Sequence, residues 1–313
     1  MDEIHTTARW RAISRFPGKI DSPAPSARVE VDFGACSVRG PLRPVNDDHY
    51  LIVRLGRQQE TLLTSLPDGE VPPRFDEFAY GMVIADGTGR EAETASRLAI
   101  ATLAHQTVYF GEWNLRVDEP TANDIMERAH RFFKNVDAAL LAASQGNPSG
   151  LQTTLTAVYT AGNELFFAYV GDSSVYMFRD GALMQLTRDH PPDYERPGPA
   201  AIFDMAAGAP DLNYVEPETL GGTRLTRPRV GIERCGLLDG DVILLCTNGL
   251  TDVVDDSRIA DMLRLHGKPD EQCRALVDLA TRSGSYDDVT TIVAHYRIAP
   301  HPDTDNSAHH PPR

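Results

Sequence analysis

The sequence predicts an α+β fold in which a central β-sandwich of two antiparallel sheets is flanked by pairs of helices. Three observations predict it. Apolar runs of strand length recur along the chain, separated by hairpin-sized turns such as Ala161-Gly162-Asn163 and Asp180-Gly181. Helical periods come two at a time, before and after the main run of strands. No repeat and no linker divides the 313 residues, so both helix pairs must cover one core.

Taken in order, residues 28–37 alternate Val29, Val31, Phe33 and Ala35 with polar neighbours, the pattern of a half-buried strand. Residues 50–55 and 78–85 are apolar runs of strand length. Pro67-Asp68-Gly69 and Pro72-Pro73 lie between them and predict an extended loop over 58–76. Residues 91–110 read as a helix. A second helix is expected to open at Thr121, which with Asp124 matches a capping box. It carries Ile125, Ala129, Phe132, Phe133, Val136, Ala139 and Leu140 on one face.

Residues 151–159, 165–170, 175–178 and 183–186 are predicted strands. The stretch 189–236 is rich in Pro and Gly and lacks a period. An irregular segment of that length inside a domain predicts a functional flap. Residues 242–246 form a buried strand, 257–265 and 270–281 helices, and 289–296 a closing strand. The expected organisation is a loose arm over 1–27, one domain over 28–298, and a disordered tail over 299–313 with Pro300, Pro302, Pro311 and Pro312.

Composition narrows the function. A net charge of −15 argues against a nucleic-acid-binding surface, which would need a basic patch. Cys36, Cys235, Cys246 and Cys273 form no CxxC pair, so they read as free thiols of a reducing compartment rather than as a zinc site or disulfide framework. The opening Met1-Asp2-Glu3 lacks the basic and apolar regions of a signal peptide. No apolar run reaches the ~20 residues of a membrane span. The expectation is a soluble, cytoplasmic protein without membrane or nucleic-acid partners.

The acidic residues sit at the ends of apolar strands. Asn46-Asp47-Asp48, Asp86-Gly87, Gly171-Asp172, Asn248-Gly249 and Asp287-Asp288 all flank such runs. One strand-end carboxylate usually only terminates a strand in a turn. Five on strands of one sandwich would meet at a common edge and repel each other unless a divalent cation neutralised them. Hard oxygen donors of this kind suit Mg²⁺ or Mn²⁺.

The ordered set resembles a known family. Gly40-Pro41-Leu42-Arg43-Pro44-Val45-Asn46-Asp47-Asp48 is similar to the G-x-x-R-x-x-N-[ED]-D opening of the PPM family, the protein phosphatase 2C type. Val83-Ile84-Ala85-Asp86-Gly87-Thr88-Gly89 resembles its strand ending in D-G-x-G, and Gln152-Thr153-Thr154-Leu155 its G-[ST]-T-[AL] strand. Ala168-Tyr169-Val170-Gly171-Asp172-Ser173-Ser174, Leu186-Thr187-Arg188-Asp189-His190, Leu244-Leu245-Cys246-Thr247-Asn248-Gly249-Leu250 and Gly284-Ser285-Tyr286-Asp287-Asp288-Val289-Thr290 match later motifs in order.

The resemblance implies a signalling enzyme that removes phosphate from phosphoserine and phosphothreonine in protein substrates, using a metal-bridging hydroxide. It implies two or three divalent cations, Mn²⁺ or Mg²⁺. Asp86 would bridge two of them, and the Gly87 carbonyl would bind one. Asp287 and Asn248 would complete the second cation's ligands. Asp47 and Asp48 would hold metal-bound waters, Asp172 would help hold a third cation, and Arg43 would receive the phosphate. Asp48 and Asp86, with Arg43, are the expected catalytic set. Two cations about 3.5–4 Å apart acidify a shared water and clamp the phosphoryl oxygens, and guanidinium meets phosphate bidentately.

Departures are also legible. Asn248 stands where the family has a metal-binding Asp, and an uncharged amide lowers cation affinity. Asp288 stands where the family has Asn, an added carboxylate expected to compensate in part. Asp47 replaces the more usual Glu, and Arg90 replaces a Gly and is expected to face solvent. Asn248 supports an alternative, a catalytically impaired phosphatase fold that binds phosphoproteins. A nucleotide-binding oxidoreductase is suggested by Gly87-Thr88-Gly89-Arg90-Glu91-Ala92, a G-x-G-x-x-[GA] match. It is disfavoured because a second helix follows where a strand ending in an acidic residue is needed.

Overall fold

Period-two alternation sorts each strand's side chains onto two faces, and the sandwich follows from where those faces go. The computed structural model describes residues 28–67, 70–71, 73–111, 117–145, 150–188, 218–222, 228–265 and 267–299. Among them are strands β1 (Arg28–Val38), β2 (Asp48–Glu60), β3 (Arg74–Thr88), β4 (Gln152–Thr153), β5 (Leu155–Ala161) and β6 (Glu164–Val170). Then come β7 (Ser174–Arg179), β8 (Ala182–Gln185), β9 (Leu220–Gly221), β10 (Gly231–Gly236), β11 (Val242–Cys246) and β12 (Val289–Ala299). The helices are α1 (Ala92–Phe110), α2 (Glu119–Ala143), α3 (Asn248–Thr251), α4 (Asp256–Arg264) and α5 (Pro269–Arg282).

One sheet has the order β1-β12-β11-β7-β8. The other runs β10-β6-β5-β3-β4-β9, with β2 paired to β3. Every pairing is antiparallel. Met82, Ile84, Val158, Phe167, Ile243, Leu245, Ile292 and Tyr296 fill the space between the sheets. Their strand neighbours face outward: Val83 and Ala85 pack with Ala95, Ala99 and Leu103 of α1 and with Phe133, Val136 and Leu140 of α2. On the other sheet Leu244 and Cys246 pack with Ile259 and Leu263 of α4 and with Cys273, Leu276 and Ala280 of α5. The buried Tyr296 hydroxyl is satisfied by Thr160 Oγ1 across the sandwich at 2.8 Å. The predicted architecture is therefore the observed one, and α1 is followed by α2 as expected.

Several elements differ from expectation. The loop expected over 58–76 is shorter, because Gln58, Gln59 and Glu60 pair with Asp76, Phe75 and Arg74. Residues 56–60 are exposed on both faces of the ribbon, so no alternation marks them. The second helix starts before Thr121: Asp118 is its N-cap and accepts from Thr121 N at 2.9 Å. Pro120 is tolerated in that first turn, where its missing N–H has no helical partner. The strand expected over 151–159 breaks at Thr154. Within the expected flap, residues 189–217 and 223–227 lie outside the described residues, but all of β10 pairs with β6, from Gly231 opposite Tyr169 to Gly236 opposite Glu164. The expected arm (1–27) and residues 300–313 of the tail also lie outside them. Among the described residues, no helix is long and apolar enough to cross a membrane.

Candidate functional site

The antiparallel register of β2 and β3 sets Asp48 directly opposite Asp86. Both are buried, at 5% and 7% exposure. The break between β4 and β5 serves Asp86. Thr154 Oγ1 accepts from Asp86 N at 3.0 Å, while the Asp86 carbonyl accepts from Thr154 N and Thr153 Oγ1, both at 2.8 Å. Gly87 follows because a Cβ there would lie 2.0 Å from the Ala92 carbonyl oxygen at the start of α1. Gly87 N donates to the Asp47 carbonyl at 3.2 Å, and Ser96 Oγ of α1 donates to the same oxygen at 2.6 Å.

The other sheet contributes the opposite wall. Thr247, after β11, donates through Oγ1 to Asp48 Oδ2 at 2.9 Å and accepts from Thr290 N at 3.0 Å. The second carboxylate oxygen, Asp48 Oδ1, is buried and has no hydrogen-bond partner among the described residues, as is true of Asn248 Oδ1. Asn248 opens the one-turn helix α3, and a Cβ on Gly249 would lie 2.0 Å from the Asp288 carbonyl oxygen. Asp172 follows β6 through Gly171, whose φ of +114° favours glycine.

Arg43 lies between these walls. Its Nε and Nη2 donate to Asp287 Oδ1 at 2.9 and 2.6 Å, and Nη1 is 3.5 Å from Asp47 Oδ2. Asp288 is 2% exposed, its Oδ1 accepts from Gly40 N and its Oδ2 from Asp47 N, each at 2.7 Å. Both oxygens accept from backbone N–H groups, so this carboxylate acts on the site through its charge and as a brace for the backbone. Arg90 is exposed, as expected.

The electrostatics follow from crowding. Burial, then the charges of Asp48, Asp287 and Asp172, hold the Asp86 carboxyl well above the usual range, with Arg43 opposing. Burial pushes Asp48 up to about 7 against hydrogen bonds from Thr290 and Thr247, with Asp288 and Asp287 adding to the rise. Asp47 is also raised, first by burial and then by Asp288, with Arg43 opposing. The fold thus brings Arg43, Asp47, Asp48, Asp86, Gly87, Asp172, Asn248 and Asp287 to one edge of the sandwich. Among the described residues, no three His, Cys, Asp or Glu side chains close into a ready ligand cage.

Sequence reasoning missed Thr247, Ser96 and the bracing role of Asp288. The available signal was a hydroxyl next to a strand-end acid or amide, as in Thr247-Asn248.

Residues 74–280 match the profile of the protein phosphatase 2C family. The chain belongs to this family. It is 33% identical over 223 residues to the serine/threonine protein phosphatase PstP of Mycobacterium tuberculosis, a match covering 68% of this chain and 40% of PstP. The chain therefore spans about two fifths of that relative's length. The serine/threonine phosphatase stp of Listeria monocytogenes is 26% identical over 220 residues, covering 68% of this chain and 82% of stp. Among solved structures, the catalytic domain of PstP in complex with two manganese ions superposes with a TM-score of 0.61 at 27% identity, covering 86% of this chain and 99% of that one. The serine/threonine phosphatase of S. agalactiae shares the fold, with a TM-score of 0.62 at 20% identity over 85% and 99% of the two chains.

Proposed function

We propose that this protein phosphatase 2C-family chain is a metal-dependent phosphoprotein phosphatase acting on phosphoserine and phosphothreonine. The observation that carries the reading is the buried pair of opposed carboxylates, Asp48 and Asp86, beside Arg43 at one sandwich edge.

The residues fit divalent cations. The donors are all oxygens, the choice of Mg²⁺ and Mn²⁺. Asp48 Oδ1 and Asn248 Oδ1 are buried oxygens without a hydrogen-bond partner among the described residues. Burial and then the charges of Asp48, Asp287 and Asp172 raise the proton affinity of Asp86, the signature of negative charge that a cation would relieve. Asp86, the Gly87 carbonyl, Asp287 and Asn248 are the assigned ligands, with Asp47, Asp48 and Asp172 in support. The manganese pair in the PstP catalytic domain supports the same assignment. When bound, such cations supply Lewis acidity, which makes water nucleophilic at neutral pH and offsets phosphoryl charge.

The chain's own residues do the rest. Arg43, whose Nε and Nη2 rest on Asp287 in this structure, would turn its guanidinium to two phosphoryl oxygens and so orient phosphorus for in-line attack. Thr247 fixes Asp48 through Oδ2, leaving Oδ1 to orient the attacking water and take its proton. Water oxygen bonds to phosphorus, the bond from phosphorus to the serine or threonine oxygen breaks, that oxygen takes up the proton the water gave up, and inorganic phosphate leaves.

Phosphorylated proteins are the proposed partners. A cytoplasmic location is proposed from the four free cysteines, and the net charge of −15 argues against nucleic acid as a partner. The test is hydrolysis of p-nitrophenyl phosphate and of a phosphothreonine peptide with Mn²⁺ or Mg²⁺, and its loss in EDTA. Full turnover in EDTA overturns the metal assignment. Phosphopeptide binding without any turnover would favour the impaired, phosphoprotein-binding reading that Asn248 suggests.

A further inference from the structure

Arg43 is carried by the loop from Gly40 to Asp47, which joins β1 to β2. Three contacts fix its shape. Arg43 N closes a turn on the Gly40 carbonyl at 3.2 Å. The single Asp288 carboxylate, standing just before β12, accepts from the backbone N–H at both ends of the loop, Gly40 and Asp47. Arg39 reaches over the outside and donates through Nη1 to the Arg43 carbonyl oxygen. Gly40 seats the loop flush against the strand entry, since a Cβ there would lie 2.5 Å from the Tyr286 carbonyl oxygen.

We propose that Asp288 and Arg39 are positioning residues that set the site's phosphate affinity by holding the Arg43 backbone in place. The inference rests on the reading of Arg43 as the phosphate-binding group. Asp288 suits this task through its charge state and symmetry. A carboxylate offers acceptor oxygens on both sides, whereas an asparagine turns an NH₂ toward one of the two N–H groups. Donor then faces donor in a buried place, and one end of the loop comes loose. The Asp that replaces the family's Asn thus belongs to the phosphate loop. Arg39 acts on the same loop from an exposed position, so its removal tests the idea without disturbing the core.

Because Arg43 contacts the phosphate and not the attacking water, loosening its loop is expected to change KM far more than kcat. The experiment uses the full chain with saturating Mn²⁺, comparing Asp288→Asn, Arg39→Ala, Arg43→Ala and the double variants. Turnover of p-nitrophenyl phosphate, competition by inorganic phosphate, and direct calorimetric binding of inorganic phosphate are read together. Asp288→Asn is expected to weaken phosphate binding and raise KM by about tenfold with kcat within about threefold, and Arg39→Ala to shift KM the same way by about threefold. In the Arg43→Ala background both effects should vanish, because the group they position is gone. A purely structural role would instead lower the melting temperature and leave the ratio of KM to kcat unmoved.

Unchanged phosphate affinity in both single variants overturns the proposal. So does an Asp288→Asn effect that persists undiminished in the Arg43→Ala background. Should Asp288→Asn fail to fold, Arg39→Ala alone decides. Should the wild type bind phosphate yet turn nothing over, the enzymatic reading fails while calorimetry still reads the positioning effect.

Discussion

Asp48 and Asp86 are direct partners across the β2–β3 ladder, two buried carboxyls brought face to face by backbone register. Like charges directly opposite on a sheet are destabilising, and here the charge of Asp48 adds to burial in raising the Asp86 carboxyl. This pair makes the edge of the sandwich the place to probe first.

Asp86→Asn is expected to abolish phosphatase activity with the fold retained, because the backbone contacts to Thr153 and Thr154 do not use the side chain. Replacing an outer partner of a metal ligand typically costs about 10–100-fold, and this loss should exceed that. Turnover and circular dichroism measured side by side check it, and near wild-type turnover would remove Asp86 from the site.

The raised carboxyls give stability a definite pH slope. A free aspartate titrates near 3.9, while burial pushes Asp48 up to about 7 and burial with neighbouring charges holds Asp86 well above the usual carboxylate range. The folded state therefore holds protons that the unfolded chain releases, and the stabilisation they bring declines as pH rises from about 4 to about 7. Asp118 and Asp255, both lowered, slope the other way only in the acid range. In EDTA the melting temperature should fall between pH 5 and pH 7.5, and excess Mn²⁺ should flatten the decline. A flat or rising trend in EDTA would contradict the assignment.

Asn248→Asp is expected to lower the Mn²⁺ concentration for half-maximal activity several-fold, since ligand charge raises cation affinity. Asp288 brings its charge close to the site but spends both oxygens on Gly40 N and Asp47 N, so the new carboxylate adds a ligand charge of its own. A metal titration of mutant beside wild type decides, and an equal or higher requirement in the mutant would show that Asn248 is not a ligand.

Thr247→Val keeps the side chain's shape but removes the hydroxyl that joins Asp48 Oδ2 to Thr290 N. Leaving buried polar groups unpaired costs about 1–3 kcal/mol. Urea unfolding should show a loss of that size, together with reduced turnover. Unchanged stability and rate would mean that the hydroxyl is dispensable.

Much of this was legible in the chain itself. The sandwich could be read because Met82 and Ile84 alternate with Val83 and Ala85, and each pair finds a different apolar surface. The acidic strand ends and Arg43 could be picked out, and all of them come to one edge. Polar residues on both faces of the outer β2–β3 ribbon carry no period, so its length was hidden. The partners of Asp288 and Asp287 were hidden for a different reason. Each joins groups more than 240 residues apart, and a local pattern holds no record of such pairings.

That separation has a consequence for how the protein is born. Thr247 reaches Asp48 across 199 residues and Asp288 reaches Gly40 across 248, while β1 has no partner until β12 exists. Contacts so distant in sequence are slow to form. During synthesis at about 5–20 residues per second, the first acidic wall waits many seconds for the second. A nascent chain stalled before β11 holds Arg43, Asp48 and Asp86 but lacks Thr247, Asn248, Asp287 and Asp288. The edge is completed only when the last strand docks, so an unfinished chain carries no working phosphate site.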